Sequence, residues 1–267
     1  MNNTFGFIGT GNMGGALARA AAKVMAPEAI FLSNKTHAKA ELLAEQLHCA
    51  AVSPSTAAAT CGYILLGVKP QMMAGLLADL APILAARTDR FILVSMAASL
   101  TMDSIRQMAG GDYPVIRIMP NTPVSTGHGV ILYDCLDVTE DELTVFTHNL
   151  SGSGLLDRLP EYLMDAGTAV AGCGPAFADL FVEALADAGV INGLPRAKAQ
   201  RYAAQMLKGA GALILESGQH PGQLKDAVCS PGGSTIAGVR ALEQRAFRAA
   251  VMEAVDAAVK RTKELGK

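Results

Sequence analysis

The chain has 267 residues, of which 51% are hydrophobic and 17% are charged, and its net charge is −2 at pH 7. This composition is too apolar for a disordered chain, too often interrupted by charges for a membrane protein and too weakly charged to hold a nucleic-acid backbone. We therefore expect two globular domains, with neither a nucleic acid nor a membrane as partner.

The first part of the chain alternates short apolar runs with longer segments rich in alanine and leucine. The runs predict buried strands and the longer segments predict helices. Continuous apolar strands between helices are typical of a parallel sheet that is covered on both faces. The predicted strands are residues 5–8, 29–33, 63–68, 91–95 and 115–119, with helices at 15–25 and 38–47.

The pattern changes towards the middle of the chain. Strands are predicted at 129–133 and 155–159, and a helix begins after Thr139. Beyond Pro160 three long helical segments follow, with no convincing strand, at 164–189, 196–216 and 238–264. We therefore predict an α/β fold in which a Rossmann-like, mostly parallel sheet domain (residues 1–160) precedes an all-helical C-terminal domain (residues 161–267).

A glycine-rich turn joins the first predicted strand to the first predicted helix. Gly9, Gly11 and Gly14 form the pattern G-x-G-x-x-G. In a strand–turn–helix unit these glycines permit a tight turn, the close approach of a pyrophosphate to the helix N-terminus, and the packing of helix on strand. An ordinary glycine-rich turn is the alternative, but the flanking strand and helix favour a nicotinamide dinucleotide site.

The end of the second predicted strand bears on which dinucleotide is bound. An acidic residue there usually binds the ribose hydroxyls of NAD, whereas this chain has Asn34 and Lys35 after Ser33. Hydroxyl, amide and ammonium donors without a carboxylate suit the 2′-phosphate of NADPH, so we expect NADPH to be preferred, with NADH as the alternative cofactor. The competing interpretation is that Asn34 and Lys35 only cap the next helix.

Three further segments follow predicted strands, at the sheet edge where open parallel sheets bind their ligands. After the third strand, Pro70 prevents a helix from running back through Lys69, which places this lysine on a turn. Ordinary strand-to-helix connections are the alternative. The residues of these segments that we expect to contact the cofactor are Val68, Lys69, Pro70, Ala97, Ala98 and Asn121.

The helical part of the chain contains one unusual segment, residues 230–235, in which Ser-Pro-Gly-Gly stands before a predicted helix. Ser230, Ser234 and Thr235 offer three hydroxyls beside the free N–H groups of a helix N-terminus, which together suit a carboxylate. On these physical arguments alone, an ordinary turn between helices is the commoner outcome.

With these motifs the sequence resembles the pyrroline-5-carboxylate reductases, a family of proline biosynthesis. The similarity runs nearly end to end and includes GFIGTGNMGG, GVKP, VSMAA, IMPNTP and GCGPA, and its most specific stretch is DAVCSPGGSTIAGVRALE at residues 226–243. The resemblance implies hydride transfer from NAD(P)H to the imine carbon of 1-pyrroline-5-carboxylate, which gives L-proline. It also implies homodimers, or larger rings, formed through intertwined C-terminal helices.

The resemblance further implies roles for individual residues. Ser230, Ser234 and Thr235 would hold the substrate carboxylate, and Thr235 would also bind the ring nitrogen. Two departures each remove a hydroxyl that is common in the family, because Cys173 replaces a serine and Phe177 replaces a tyrosine. The implied cofactor contacts are Gly9, Gly11, Asn12 and Met13 at the pyrophosphate, Asn34 and Lys35 at the adenosine end, and Val68, Lys69, Ala97 and Ala98 along the remainder.

Imine reduction and ketone reduction differ in their need for a proton donor. The related hydroxyacid dehydrogenases use a lysine and an asparagine on the first helix of the second domain to meet developing alkoxide charge. The matching residues here, 175–180, include neither. A cyclic imine can be protonated before hydride arrives, so the missing lysine favours an imine substrate. The remaining alternatives are a reductase of another cyclic imino acid, a hydroxyacid dehydrogenase-like enzyme and a non-catalytic dinucleotide sensor.

Cysteine usage and the N-terminus bear on location. The five cysteines form no C-x-x-C pair and no metal-ligand spacing, so we expect reduced thiols and no metal site. The N-terminus lacks the features of a signal peptide. Together these observations predict a cytoplasmic protein.

Overall fold

A computed structural model of the chain describes residues 2–265. It divides into two compact units: the chain up to Cys173 together with the residues from Ala258 onward, and Gly174–Ala257. The outermost residues of the predicted domain ranges, Met1, Gly266 and Lys267, lie outside the described residues.

The first unit is built on an eight-stranded sheet with the strand order β3-β2-β1-β4-β5-β6-β7-β8. Neighbouring strands run parallel, except that β6 and β7 are antiparallel. This confirms the predicted Rossmann-like, mostly parallel sheet. The strands are β1 (Phe5–Ile8), β2 (Ile30–Ser33), β3 (Ala50–Ala51), β4 (Tyr63–Leu66), β5 (Ile92–Ser95), β6 (Val115–Pro120), β7 (Gly129–Leu136) and β8 (Gly154–Arg158).

Seven helices accompany the sheet, and their starting signals can be read in the sequence. Pro54 and Pro70 occupy the first positions of α3 and α4, where a missing N–H costs nothing. Thr139 and Glu142 cap each other's backbone N–H groups at the start of α6. The helices are α1 (Asn12–Ala21), α2 (His37–Leu47), α3 (Pro54–Thr60), α4 (Pro70–Ala85), α5 (Met102–Ala109), α6 (Glu140–Asn149) and the short α7 (Met164–Gly167).

Two apolar cores fill the faces of this sheet. One contains an aromatic group in which the rings of Phe5 and Tyr63 lie 4.7 Å apart, with Phe146 stacked on Phe5 at 6.2 Å. The other packs α3, α4 and α5 against the opposite face. Within the sheet, Ile8 is in register with both Ser33 and Leu66. Because β1, β2 and β4 therefore end level, the residues that follow them lie side by side.

The second unit consists of helices. They are α8 (Gly174–Ile191), α9 (Arg196–Ser217), α10 (Pro221–Ala227), α11 (Ser234–Gln244) and the greater part of α12 (Phe247–Leu265). The predicted helix at 238–264 is in fact divided between α11 and α12, because Ala246 has a left-handed backbone with φ of +57°. The predicted helix at 164–189 is likewise interrupted, by a π-helical turn at Thr168–Gly172.

The helical unit exposes a large apolar surface. Its buried side chains are three alanines, Ala186, Ala199 and Ala203, whereas Ile191 and Leu215 are 84% and 81% exposed. Apolar surface on this scale marks a contact with another molecule. By length and composition alone, the stretch Glu161–Ile191 is also apolar enough to cross a membrane.

The division between the units falls after Cys173, beyond the predicted boundary near Pro160. The connecting residues stay with the sheet because polar contacts hold them there. Glu161 accepts a hydrogen bond from Arg117 on β6 at 2.9 Å, and Asn121 donates to the carbonyl of Ala171 at 2.9 Å. The sheet unit therefore continues through the π-helical turn.

Candidate active site

A cleft of about 690 Å³ lies at the edge of the sheet where β1, β2 and β4 end. It brings together residues that are far apart in the sequence, with Lys35 and Lys69 as its two basic side chains. Six of the predicted cofactor residues line it: Gly9, Gly11, Asn34, Lys35, Val68 and Lys69.

The three glycines of the turn have different surroundings. Gly9 has φ of +104°, and a Cβ there would lie 2.6 Å from the carbonyl oxygen of Gly67. A Cβ on Gly14 would lie 2.0 Å from the carbonyl oxygen of Gly9. A Cβ on Gly11 would meet nothing within 4 Å. The fold itself thus requires Gly9 and Gly14, whereas Gly11 leaves open space in the cleft.

The polar groups around this turn fit a phosphate-bearing ligand. Gly11 is the N-cap of α1 and no side chain caps the helix, which leaves its first N–H groups free to bind an anion. Thr10 and Ser33 each have a buried hydroxyl without a hydrogen-bond partner among residues 2–265. Buried hydroxyls are normally satisfied, so ligand or solvent partners are expected here.

The end of β2 also fits the expected adenosine end of a cofactor. The N-cap of α2 is Thr36, and neither Asn34 nor Lys35 caps this helix. Asn34 instead donates to the carbonyl of Thr36 at 3.2 Å. Lys35 is exposed and forms no ion pair within the described part of the chain. Its ammonium group is therefore available to a ligand.

Lys69 occupies the position that its proline neighbour predicted. It is the extended N-cap residue of α4, with φ of −65° and ψ of 149°, and Pro70 begins the helix. The side chain of Lys69 is exposed and lines the cleft. A second positive charge therefore stands at this sheet edge, across from the end of β2.

Several predicted cofactor residues do not line this cleft. Asn12 lines a smaller neighbouring cavity, and Met13 packs on the core. Ala97 is buried and Ala98 is exposed, both beyond the end of β5. Asn121 accepts from the N–H of Val130 at 2.9 Å as well as donating to Ala171, so both ends of its amide join elements of the fold.

A second cavity in the sheet unit, of about 810 Å³, contains none of the predicted site residues. Arg117 and Lys263 line it, but so do Asp134, Glu161 and Asp165. Three carboxylates make this cavity a poorer phosphate site than the cleft. No cluster of His, Cys, Asp and Glu suited to a metal ion occurs among the residues that the structure describes.

In the helical unit, residues 230–235 form a tight turn followed by a helix. The N–H of Gly233 donates to the carbonyl of Ser230 at 3.0 Å, and Gly232 has φ of +68°, as expected of a type II turn with proline at its second position. α11 then begins at Ser234, without a side-chain cap. Ser230, Ser234 and Thr235 are exposed in the single chain.

The hydroxyl of Ser230 lies close to the start of α11. An added Cβ on Gly233 would be 2.5 Å from Ser230 Oγ. The first N–H groups of α11 and this hydroxyl are therefore available in one place, which is a suitable arrangement for a carboxylate. Nearby, Asp226 hydrogen-bonds to Lys225 and thereby raises the pKa of the lysine ammonium group.

Comparison with known proteins matches both parts of the chain. Residues 161–265 match the family model "Pyrroline-5-carboxylate reductase dimerisation", and residues 4–99 match "NADP oxidoreductase coenzyme F420-dependent". A curated pyrroline-5-carboxylate reductase from Synechocystis is 43% identical, with 100% of both chains covered. The chain belongs to the pyrroline-5-carboxylate reductase family.

Solved structures of family members have the same fold. The pyrroline-5-carboxylate reductase of Coxiella burnetii matches with a TM-score of 0.91 at 29% identity, covering 100% of each chain. The Plasmodium falciparum enzyme, crystallised with NADP bound, matches with a TM-score of 0.86 at 32% identity, covering 99% of this chain and 98% of that one. The family assignment therefore rests on sequence and on fold.

The helix in which the sequence predicted neither a lysine nor an asparagine is α8. Its 18 residues contain neither a lysine nor an asparagine. The two departures from the family pattern lie at its start, with Cys173 immediately before the helix and Phe177 in its first turn. No hydroxyl stands at either position.

One wall of the cleft was not predicted from the sequence. The missed residues belong mainly to α3 and α4, two helices that were not predicted. Pro54 and Pro70 could have marked their starts, and the glycine at position 75 of an otherwise good helix-forming segment could have drawn attention to α4. The missed lining residues are Ile8, Pro54, Met72, Gly75, Leu76 and Asp79.

Proposed function

We propose that this chain reduces 1-pyrroline-5-carboxylate to L-proline, with the dinucleotide held in the cleft and the substrate carboxylate held by residues 230–235. The observation that carries the proposal is the 43% identity, over the whole of both chains, to a curated pyrroline-5-carboxylate reductase. The chain is accordingly an oxidoreductase that uses NAD(P)H, and proline biosynthesis is its metabolic role.

Four groups of the sheet unit would hold the cofactor, whose reduced nicotinamide supplies the hydride. The N–H groups at the start of α1 bind the pyrophosphate, and the bare Cα of Gly11 lets it approach. Lys35 and Asn34 bind the adenosine phosphate at the end of β2. Lys69 lies where its charge can neutralise a further phosphate oxygen, which favours a dinucleotide over an uncharged ligand.

In the helical unit, residues 230–235 would bind the substrate. The N–H groups at the start of α11, with the hydroxyls of Ser230 and Ser234, bind the carboxylate and so fix the orientation of the ring. The hydroxyl oxygen of Thr235 accepts a hydrogen bond from the protonated ring nitrogen. Rate enhancement then comes mainly from positioning, since orientation of bound reactants can contribute about 7–11 kcal/mol.

The proton requirement of the reaction is met without a strong acid. Hydride adds to the imine carbon, and the electron pair of the C=N bond moves to a nitrogen that already carries a proton. The product is a neutral secondary amine, so no alkoxide charge develops. This agrees with the absence of a lysine from α8. Thr235 needs only to orient the nitrogen.

The function is tested by NADPH oxidation with three substrates: 1-pyrroline-5-carboxylate, its six-membered homologue and a simple 2-keto acid. We expect turnover with the five-membered imine and the highest kcat/KM for it. Preference for the six-membered ring would reassign the substrate, because pocket shape decides one methylene. Turnover of the keto acid alone would indicate a hydroxyacid dehydrogenase-like enzyme instead. If NADPH is oxidised with none of the three substrates, a non-catalytic dinucleotide sensor is the remaining hypothesis.

The role of Thr235 is tested by Thr235→Ala. Loss of one hydrogen bond to a charged group is expected to lower kcat/KM for the imine about 10- to 100-fold, with the Kd of NADPH unchanged. Thr235→Ser should restore most of the activity. Thr144→Ala is a matched control, because Thr144 is an exposed helical threonine of the sheet unit. An equal loss of imine turnover and of NADPH affinity would refute the assignment.

We propose NADPH as the preferred cofactor because the end of β2 presents Asn34 and Lys35 and no carboxylate. Lys35→Met keeps the length of the side chain but removes its charge, and it should raise the KM for NADPH about tenfold while leaving that for NADH nearly unchanged. A lower KM for NADH than for NADPH in the wild-type enzyme would overturn this preference.

We also propose that the protein is a homodimer, or a ring of dimers, in the cytoplasm. The dimerisation family model supports homo-oligomerisation, and the exposed apolar surface of the helical unit agrees with it. Five free cysteines suit a reducing compartment. Sedimentation of the purified protein and fractionation of the source cells would check the subunit number and the location.

A further inference from the structure

The sheet unit contains a cavity of about 810 Å³ that has no role in the function proposed so far. Its walls include parts of β6 and β7, residues after β8 and the end of α12, which belongs to this unit. The volume is typical of a small-molecule site. Charges of both signs line it: Asp134, Glu161 and Asp165 are acidic, and Arg117 and Lys263 are basic. What the cavity can bind depends on which of these charges the fold leaves free.

Arg117 is a buried basic group with few partners. It is 4% exposed, and its Nη1 donates to Glu161 at 2.9 Å. Within residues 2–265 this is the one hydrogen bond of a guanidinium group that has several N–H donors, and its buried Nε has no partner there. Buried polar groups are normally satisfied. Because Arg117 lines the cavity, we expect a molecule bound there to supply a further acceptor.

Two of the three carboxylates in the cavity are already engaged by the fold. Oε1 of Glu161 accepts a hydrogen bond from the N–H of Met102 at 2.9 Å as well as the one from Arg117. Asp134 accepts from the N–H of Glu161 at 2.7 Å and from the N–H of Cys135 at 2.9 Å. These two carboxylates therefore hold segments of the sheet unit together and are poor candidates for binding a ligand.

The third carboxylate and the second basic group are free. Asp165 is half-buried on α7 and Lys263 is exposed on α12. Neither forms an ion pair within the described part of the chain, with each other or with any other residue. The cavity thus offers one free carboxylate to a ligand cation, and it offers Lys263 with the underused guanidinium of Arg117 to a ligand anion.

We infer that this cavity binds a free α-amino acid with an uncharged side chain, whose carboxylate is held by Arg117 and Lys263 and whose ammonium group is held by Asp165. The free charges match one ligand carboxylate and one ligand ammonium group, and they leave no partner for a charged side chain. Pro160 and Tyr162 supply apolar surface in the same lining. The inference does not depend on the proposed function, because the cavity contains none of the residues assigned to that function.

The first test measures the Kd of L-leucine and L-glutamine by calorimetry on the full chain without cofactor. L-proline is left out because it is the product of the proposed reaction and binds at the substrate site. Isocaproate is leucine without its amino group, and isoamylamine is leucine without its carboxylate. Each should bind at least about tenfold more weakly than L-leucine, because each lacks one charge-assisted contact. L-leucine, and not these two analogues, should raise the Tm.

The second test assigns the two charges of the ligand to residues. Asp165→Asn should raise the Kd of L-leucine about tenfold and should bind isocaproate and L-leucine with nearly equal Kd. Lys263→Met should raise the Kd of L-leucine up to about fivefold, since this lysine is exposed and Arg117 remains. Asp157→Asn and Lys260→Met are matched controls, because both residues are exposed and neither lines the cavity.

Three results would overturn the inference. One is that neither amino acid binds at up to about 10 mM. Another is a Kd for L-leucine that is the same in Asp165→Asn and Lys263→Met as in the wild-type protein. The third is binding that is lost in Thr235→Ala, which would place the amino acid at the proposed substrate site. None of them bears on NADPH oxidation with the imine, so failure of the inference and failure of the proposed function remain distinguishable.

Discussion

Substitutions of two glycines in the same turn should impair different properties of the protein, its stability in one case and NADPH binding in the other. Gly14 is buried, and a Cβ there would lie 2.0 Å from the carbonyl oxygen of Gly9. Removing that overlap requires α1 to move away from the turn, and overpacking of this kind costs about 1–3 kcal/mol or more. Gly14→Ala should therefore lower the free energy of unfolding by at least that amount, whether or not a cofactor is present.

Gly11 presents the opposite case. It is the N-cap of α1, its backbone is extended with φ of −71°, and a Cβ would meet nothing within 4 Å. Threonine is about as good an N-cap as glycine, so Gly11→Thr should change the stability by less than about 0.5 kcal/mol. Its side chain would, however, occupy the approach to the α1 N-terminus. Losing one charge-assisted hydrogen bond there should weaken NADPH binding by about 1.5–3 kcal/mol, or roughly 10- to 100-fold.

The assays are thermal or urea unfolding without cofactor, and titration of protein fluorescence or heat with NADPH. We expect a stable Gly11→Thr protein that binds NADPH poorly and a destabilised Gly14→Ala protein. If Gly11→Thr binds NADPH as the wild-type protein does, the cleft beside Gly11 is not where the pyrophosphate lies. A Gly14→Ala protein of wild-type stability would show that the turn can shift at little cost.

Three further outcomes follow from contacts in the two units. Glu161→Gln should cost about 2–3 kcal/mol of stability, because the substitution leaves the 4% exposed Arg117 without its carboxylate partner. Urea unfolding would measure this loss, and an unchanged unfolding midpoint would contradict the prediction. Arg90 holds the pKa of Glu142 at about 2, below its ordinary 4.5. The ion pair between them therefore stabilises the fold by about 2 kcal/mol above pH 4.5, and this contribution is lost as the pH falls towards 2. Glu142→Gln should flatten this acid limb of the profile of Tm against pH. The Tm should rise with protein concentration, because the apolar surface of the helical unit is covered on association, and a concentration-independent Tm would argue for a monomer.

The sheet could be predicted because its signals are local. Five strands are continuous apolar runs. The glycines after β1 mark a turn, which separates the first strand from the helix that follows it. Once the strands are parallel, their ends must meet at one edge, and this is enough to bring residues 9, 35 and 69 into one cleft. Both the fold class and the grouping of these residues could be reached without coordinates.

Other features depend on space, which a sequence does not show. The break between α11 and α12 lies at Ala246, a residue type that gives no sign of a left-handed backbone. Asn121 follows a strand at the ligand-binding edge, yet its amide is taken up by Val130 and Ala171. Gly75 is noticeable in the sequence as a glycine within a helix-forming segment, but only the structure shows that it lines the cleft.

The apolar surface of the helical unit and the membrane-length stretch Glu161–Ile191 have one explanation. α8 alone, with 18 residues, carries Asp179, Glu183 and Asp187, and each acid at the centre of a bilayer costs about 2.5–3.5 kcal/mol. A less charged window of that length must begin before Gly174. There it runs through the π-helical turn and includes Ala169, which is fully buried in the sheet unit. Part of this segment is therefore packed in the sheet unit, and the segment is not a fully exposed apolar helix. A second subunit, in contrast, can cover the apolar side chains while acids remain in exposed ion pairs, such as that of Asp187 with Arg196. The surface therefore fits the dimerisation model that matches residues 161–265.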